Sequence, residues 1–298
     1  MKYIYITGAS GFVGQSIMKY FDSKYFFLQY SKNNDIKINE EIVFHFAGKA
    51  HDLKNIALTN SYYEVNTELT KQVFDVFLQS DAKVFITLSS VKAVADSLES
   101  DLTEDYSPSP VTHYGISKLL AEEYILNKVI PEGKRVYILR PCMIHGPGNK
   151  GNLNLLYKLV RKGLPWPLGS FENKRSFCSI DNLCFVLNEL IQNDKIPSGI
   201  YNIADDESIS TNELIRLIAK SQGKNSFILN IPRFIIKLFA QLGNLFNLPI
   251  NTERLKKLTE TYTVSNKKIK NAIKKTLPIS AKVGLMKTLN SFGKINTP

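Results

Sequence analysis

Lys2-Tyr3-Ile4-Tyr5-Ile6-Thr7-Gly8-Ala9-Ser10-Gly11-Phe12-Val13-Gly14 joins an apolar run to three glycines spaced by three. The run reads as a strand, the glycines as a turn, and the residues to about Phe21 as a helix. Strand, glycine turn and helix form the first half of a dinucleotide-binding unit. Gly8 allows the tight turn, Gly11 lets backbone approach a pyrophosphate, and Gly14 lets helix pack on strand. The anion would sit at the helix N-terminus, where free N–H groups and the dipole favour it. Ser10, Phe12 and Val13 belong to the same candidate cofactor turn.

Outward from this turn, Phe26 to Tyr30 reads as the second strand and ends in Ser31-Lys32. An acid there would hold the adenosine ribose and repel a 2′-phosphate, whereas a base accommodates that phosphate. Ser31 and Lys32 therefore favour NADP, with NAD as the alternative. Residues 33–41 are short for a helix-plus-strand crossover, so one element of the sheet is expected to be trimmed. Ile42 to Gly48 reads as a buried strand with His45 as a packing residue, and Ala47 and Gly48 suit close approach by a cofactor. A helix from Tyr62 to Leu78 carries Asn66. The strand Lys83 to Leu88 ends in Ser89-Ser90-Val91-Lys92, which puts Ser90 on the edge that carries the glycine turn.

Tyr114 and Lys118 follow on a helix from about Thr112 to Asn127, one turn apart on one face. A fixed charge at that distance is expected to lower the phenol pKa, which suits proton exchange with a carbonyl or an alcohol. The spacing alone is also that of an ordinary surface helix. Arg135 to Leu139 forms the next strand. Repeated βαβ units to about residue 141 predict an α/β fold, a Rossmann-type doubly wound parallel sheet with helices on both faces.

Residues 1–150 thus form a dinucleotide-binding domain to which 175–205 return. Residues 151–174 and 206–298 form a smaller, mostly helical substrate region. In it Ser210 with Glu213 has capping-box spacing. Phe234 to Phe246 is apolar but too short to span a bilayer, and reads as a buried or interfacial helix.

The net charge of +11 is unevenly placed. Residues 250–298 hold eleven Lys/Arg against two acids, while residues 1–249 hold 27 bases against 25 acids. Such a tail can be a solvated helical face, or can meet an anionic membrane or a phosphorylated ligand. No RNP pattern, zinc finger or aromatic-interleaved basic stripe supports nucleic acid. Three cysteines without metal-ligand spacing, and no signal-peptide pattern, predict reduced thiols, no metal and a cytoplasmic protein.

Together these residues resemble the extended short-chain dehydrogenase/reductase family, the NAD-dependent epimerases and dehydratases. The resemblance rests on Gly8-x-x-Gly11-x-x-Gly14, His45-x-Ala47-Gly48, Asn66, Ser89-Ser90, Tyr114-x-x-x-Lys118 and Arg140-Pro141 with Gly146-Pro147-Gly148. It implies that Ser90 bonds the reacting oxygen, Tyr114 is the acid/base, and Lys118 holds the nicotinamide ribose and lowers the tyrosine pKa. Gly151-Asn152, Gly163-Leu164-Pro165-x-Pro167-Leu168-Gly169 and Asn173-x-Arg175-Ser176 are similar to the bacterial nucleotide-sugar branch. That likeness implies a UDP-sugar substrate met by Lys92, Asn152, Leu168, Arg175 and Arg254, and a homodimer. Val91 stands where related dehydratases carry an acid, which argues against dehydration. Ala95 and His145 also depart from the family pattern. The expected activity is NADP-dependent reduction of the C4 keto group of a UDP-linked 6-deoxyhexosamine, in surface-polysaccharide precursor synthesis. A UDP-N-acetylhexosamine 4-epimerase is the alternative, and a non-catalytic dinucleotide-binding sensor or scaffold the competing class.

Overall fold

The structure, a computed structural model, describes residues 2–31, 35–50, 60–149, 151–246 and 251–295. The first region runs β1 (Lys2–Thr7), α1 (Phe12–Phe21), β2 (Tyr25–Gln29), β3 (Ile42–His45), α2 (Asn60–Tyr63), α3 (Leu69–Gln79), β4 (Val84–Leu88), α4 (His113–Leu126) and β5 (Arg135–Pro141). The chain continues through β6 (Met143–His145), α5 (Asn152–Arg161), β7 (Phe177–Ser179), α6 (Ile180–Gln192), β8 (Gly199–Ile203) and α7 (Thr211–Ser221). It closes with α8 (Arg233–Leu245), α9 (Thr252–Thr259), α10 (Lys267–Ile273) and α11 (Ala281–Ile295).

Six parallel strands lie in the order β2-β1-β3-β4-β5-β8. The central strands β3 and β4 are buried along their whole length, as a sheet covered on both faces requires. Alternate residues feed two cores. Ile4, Ile6, Phe44, Ile86 and Tyr137 pack with Ile17 and Phe21 of α1 and Leu183 and Leu187 of α6. Tyr5, Val43, Phe85, Val136 and Ile138 pack with Phe74 and Phe77 of α3 and Ile125 of α4. The expected trimming is visible in that order. It is the dinucleotide-binding order 3-2-1-4-5-6 without strand 3 and with β8 added at the opposite edge, and residues 35–41 form neither helix nor strand. β2 is therefore the sheet edge. The chain reverses between β1 and β3, the position where open α/β sheets bind ligands.

Expected helix starts are capped as their sequences require. Thr112 Oγ1 accepts from Gly115 N at 3.2 Å, and Ser210 Oγ accepts from Glu213 N at 3.0 Å. The helix expected from Tyr62 contains a π-helical turn, Glu64–Glu68, between α2 and α3. Four of the eleven cations of the basic tail pair with the rest of the chain: Lys270 with Asp206, Lys275 with Glu189, Lys282 with Glu213 and Lys287 with Asp181.

Candidate active site

The glycine turn is built for close approach. Gly8 has φ +75°, and a Cβ on it would stand 2.5 Å from Ala47 N on the neighbouring strand end. A Cβ on Gly14 would stand 2.3 Å from the Gly8 carbonyl. These two glycines are demanded by the protein itself. Gly11 is different, since its Cβ would meet only the Gly8 carbonyl at 3.4 Å, an ordinary contact. The space in front of Gly11 is left open by the protein. Gly11 also caps α1 without a side-chain bond, and no acid occupies the first turn, so the free N–H groups face an anion site. The turn thus fits a dinucleotide pyrophosphate. Ser10 is exposed, and Phe12 and Val13 are half-buried on it. Ser31 is exposed beyond β2, while Lys32 lies outside the described residues.

Asn66 is fully buried inside the π-helical turn, a local widening that often marks functional positions. Its Oδ1 accepts from Lys49 N at 2.8 Å, and its Nδ2 donates to Lys49 O and to Ser117 Oγ. Asn66 therefore fastens the Ala47-Gly48 strand end to α4. Gly48 then lies against the Lys118 amine, which a Cβ would approach to 3.1 Å.

Gly115 explains why Tyr114 meets Ser90. A Cβ there would stand 2.3 Å from the Lys92 carbonyl, so only glycine lets the first turn of α4 lie on the short 3₁₀ turn Val91–Ala93. Ser90 caps that turn, its Oγ accepting from Lys92 N at 3.1 Å. The Ser90 hydroxyl is hydrogen-bonded to the Tyr114 phenol. Tyr62, missed in the sequence, packs edge-on against Tyr114 with ring centroids 6.4 Å apart. Nothing in the sequence around Tyr62 signals this contact.

One expectation is corrected. Burial pushes the Tyr114 phenol pKa up, and the Ser90 hydrogen bond opposes that only in part. Lys118 is not among the groups that lower it, and its Nζ donates to the Leu88 carbonyl at 2.8 Å. Burial lowers the Lys118 pKa to about 8, with Glu122 one turn further on opposing the fall. At neutral pH the unliganded site therefore holds a protonated phenol, a proton donor, beside a lysine easily deprotonated.

His45 is a structural pin. The Thr70 hydroxyl donates to Asn66 O, so it must accept from the ring Nε2–H at 2.8 Å. Thr7 Oγ1 accepts from Ala47 N, and its hydroxyl donates to ring Nδ1, also at 2.8 Å. Neutral imidazole satisfies both bonds, and burial lowers its pKa to about 3, with Lys118 adding to the effect. The unfolded chain then binds more protons than the native one between pH 3 and 6.5, so stability falls as pH drops through that window. A loss of about 3 kcal/mol between pH 6.5 and 4 is expected from this group. Urea midpoints measured across that range should show it, and His45→Phe should flatten the slope.

The expected substrate residues divide. Lys92 and Arg175 come together with Lys256, Glu260 and the Tyr262 ring. Lys92 Nζ lies 4.0 Å from the Tyr262 centroid and donates to Asp96 O, and Arg175 donates to Lys257 O at 2.8 Å. Burial lowers the pKa of both cations. A partly desolvated Lys–Arg pair suits a diphosphate, with the guanidinium fork giving direction. Tyr262, another residue missed, holds the Val91–Ala93 turn by donating to Ala95 O at 2.7 Å. Leu168 differs from expectation, because its side chain is buried with Trp166, Ile215, Ile236 and Leu255 rather than turned to the cleft. The sequence of this extended, proline-fixed strip could not reveal that, since Leu168 is set by a bridge to Asn230. Asn152 opens α5, and Arg254 is exposed on α9. His145 is fully buried, its Nδ1 2.9 Å from Thr288 Oγ1, joining β6 to α11.

Known proteins resemble this chain in sequence and in fold. The sequence model of the NAD dependent epimerase/dehydratase family matches residues 29–204. A UDP-glucose 4-epimerase of Vibrio cholerae is 30% identical over 99% of this chain and 97% of its own. An N-acetyl-α-D-glucosaminyl-diphospho-ditrans,octacis-undecaprenol 4-epimerase of Escherichia coli O157:H7 is 26% identical over 77% of this chain and 75% of its own. The crystal structure of a Bacillus cereus UDP-glucuronic acid 4-epimerase with NAD superposes with a TM-score of 0.74 at 17% identity, covering 99% of this chain and 100% of that one. Among the described residues no helix is long and apolar enough to cross a membrane. A six-stranded dinucleotide sheet, the glycine turn and these full-length likenesses make the chain a member of the NAD-dependent epimerase/dehydratase family, an NAD(P)-dependent enzyme.

Proposed function

We propose that the protein inverts C4 of a hexose or N-acetylhexosamine carried on UDP, as a 4-epimerase. The observation that carries the reading is the meeting of Ser90 with Tyr114 at the end of β4, with the Lys92–Arg175 pair built on the Val91–Ala93 turn that follows Ser90. The names of the two curated relatives support epimerisation over the ketoreduction expected from sequence. When bound, the nicotinamide accepts and returns a hydride. Ser90 holds the C4 oxygen by a hydrogen bond. Tyr114 takes the proton of the C4 hydroxyl and gives it back to the C4 carbonyl oxygen. Lys118 is placed beneath Gly48 to meet the ribose. Lys92 and Arg175 hold the diphosphate, so that the sugar ring alone is free to turn and present its other face.

Ketoreduction is the second reading. The raised phenol pKa favours it, because a protonated Tyr114 is ready to donate to a ketone. The serine that follows β2, in place of an acid, also favours NADP. A single panel separates the two. The protein is incubated with UDP-glucose, UDP-N-acetylglucosamine and their 4-keto-6-deoxy counterparts, and nicotinamide absorbance is followed. The epimerase reading expects C4-inverted sugar with no net change in absorbance. Stoichiometric NADPH oxidation with a 4-keto sugar, and no inversion, selects the reductase.

A further inference from the structure

Helix α8 has three stripes rather than two. Ile236, Ala240 and Gly243 face the core formed with Trp166, Leu168 and Leu255. Arg233, Lys237, Gln241 and Asn244 follow one flank. Phe234, Leu238, Leu242 and Leu245, spaced by four, four and three, form a second apolar stripe directed away from the protein. Phe234 is 71% exposed and Leu245 73%, and Phe239 and Phe246 widen the stripe with 62% and 65%. Phe227, on the segment that bridges to Trp166, adds another exposed ring. So many exposed aromatic and leucine side chains on one short helix mark a docking surface.

Charge identifies the partner. Residues 214–252 contain no acid and five bases: Arg216, Lys220, Lys224, Arg233 and Lys237. Three of these, Arg216, Lys220 and Lys224, line one shallow depression at the end of α7 with Asn225 and Ser226, next in sequence to Phe227. Helix α9, packed on α8, adds exposed Lys256. A two-fold contact between copies through this face would set like charges against each other. An amphipathic helix with phenylalanine and leucine outward and cations along its flank matches the interface of an anionic bilayer.

We propose that α8 lies in the headgroup plane of an anionic membrane, with Phe234, Leu238, Leu242 and Leu245 entering the acyl boundary and Arg233 and Lys237 meeting lipid phosphates. Membrane contact thus belongs to α8, which carries the exposed apolar stripe, while four of the tail's eleven cations are paired within the chain. The contact is independent of which sugar is the substrate.

The test is co-sedimentation of the full chain with phosphatidylcholine vesicles with and without phosphatidylglycerol. Wild type should sediment with the anionic vesicles and be released by salt. Phe234→Ser/Leu238→Ser/Leu245→Ser should bind about tenfold more weakly. Lys237→Gln, which leaves the apolar stripe intact, should lose about fivefold on anionic vesicles alone. Thermal unfolding and NADH fluorescence verify that both variants are folded. Wild type that binds neither vesicle, or binds no better than the triple variant, overturns the proposal. So does a triple variant that merely halves the particle mass in solution, which would make the stripe an interface between copies.

Discussion

Tyr114→Phe is expected to lower kcat for C4 turnover by about 10³, within the usual range for loss of a positioned acid/base. The ring keeps its edge-on contact with Tyr62, and only the hydroxyl shared with Ser90 is lost. Dinucleotide binding and thermal stability should therefore hardly change, which separates a chemical defect from a folding defect. The pH dependence carries the second half of this prediction. Because burial holds the phenol pKa above its ordinary value, the proton-donating form dominates at neutral pH. Reduction of a C4 ketone should be flat with pH there, while oxidation of the C4 alcohol should accelerate as pH rises. Comparable turnover by the Phe variant would remove Tyr114 from the chemistry.

Glu122→Ala should give the largest loss of stability. Glu122 and Arg140 are both almost fully buried, and Arg140 Nε donates to the two carboxylate oxygens at 3.0 and 3.1 Å. Removing the acid leaves a guanidinium buried without its counter-charge, a loss of about 3–5 kcal/mol. Adding Arg140→Met should recover much of it, because an apolar pair of similar volume avoids the orphaned charge. Glu122 also opposes the fall in the Lys118 pKa. In the single variant the lysine should lose its proton at lower pH, so cofactor affinity should decline sooner as pH rises. Denaturant unfolding and nicotinamide titration read the two effects separately. The Arg140-Pro141 motif thus has a physical role, since Arg140 anchors α4 on β5 behind the catalytic face.

The sheet was legible because its buried strands are mostly apolar runs, as at Ile42 to Phe46 and Val84 to Leu88, each followed by small residues. The glycines were legible for the same reason: at Gly8 and Gly14 a side chain would strike backbone. Strand-edge logic put Ser90 on the edge of the glycine turn, and only the family resemblance implied that it acts together with Tyr114. The lysine's hydrogen bond to Leu88 was not legible, because helical spacing fixes where an amine starts and not which carbonyl it reaches. Tyr62 and Tyr262 were invisible as site residues because their contacts span 52 and 167 positions of chain to Tyr114 and Ala95. Leu168 was misplaced because an extended strip can turn either face inward, and the bridge to Asn230 decides which.

The most direct measurement uses UDP-N-acetylglucosamine and UDP-glucose deuterated at C4, incubated with the purified protein and followed by NMR. Proton exchange confined to oxygen through Tyr114 predicts sugar inverted at C4 with the deuterium still on C4, and no label drawn from solvent. Exchange of the C4 deuterium with solvent, or inversion undiminished in Tyr114→Phe, would contradict the account.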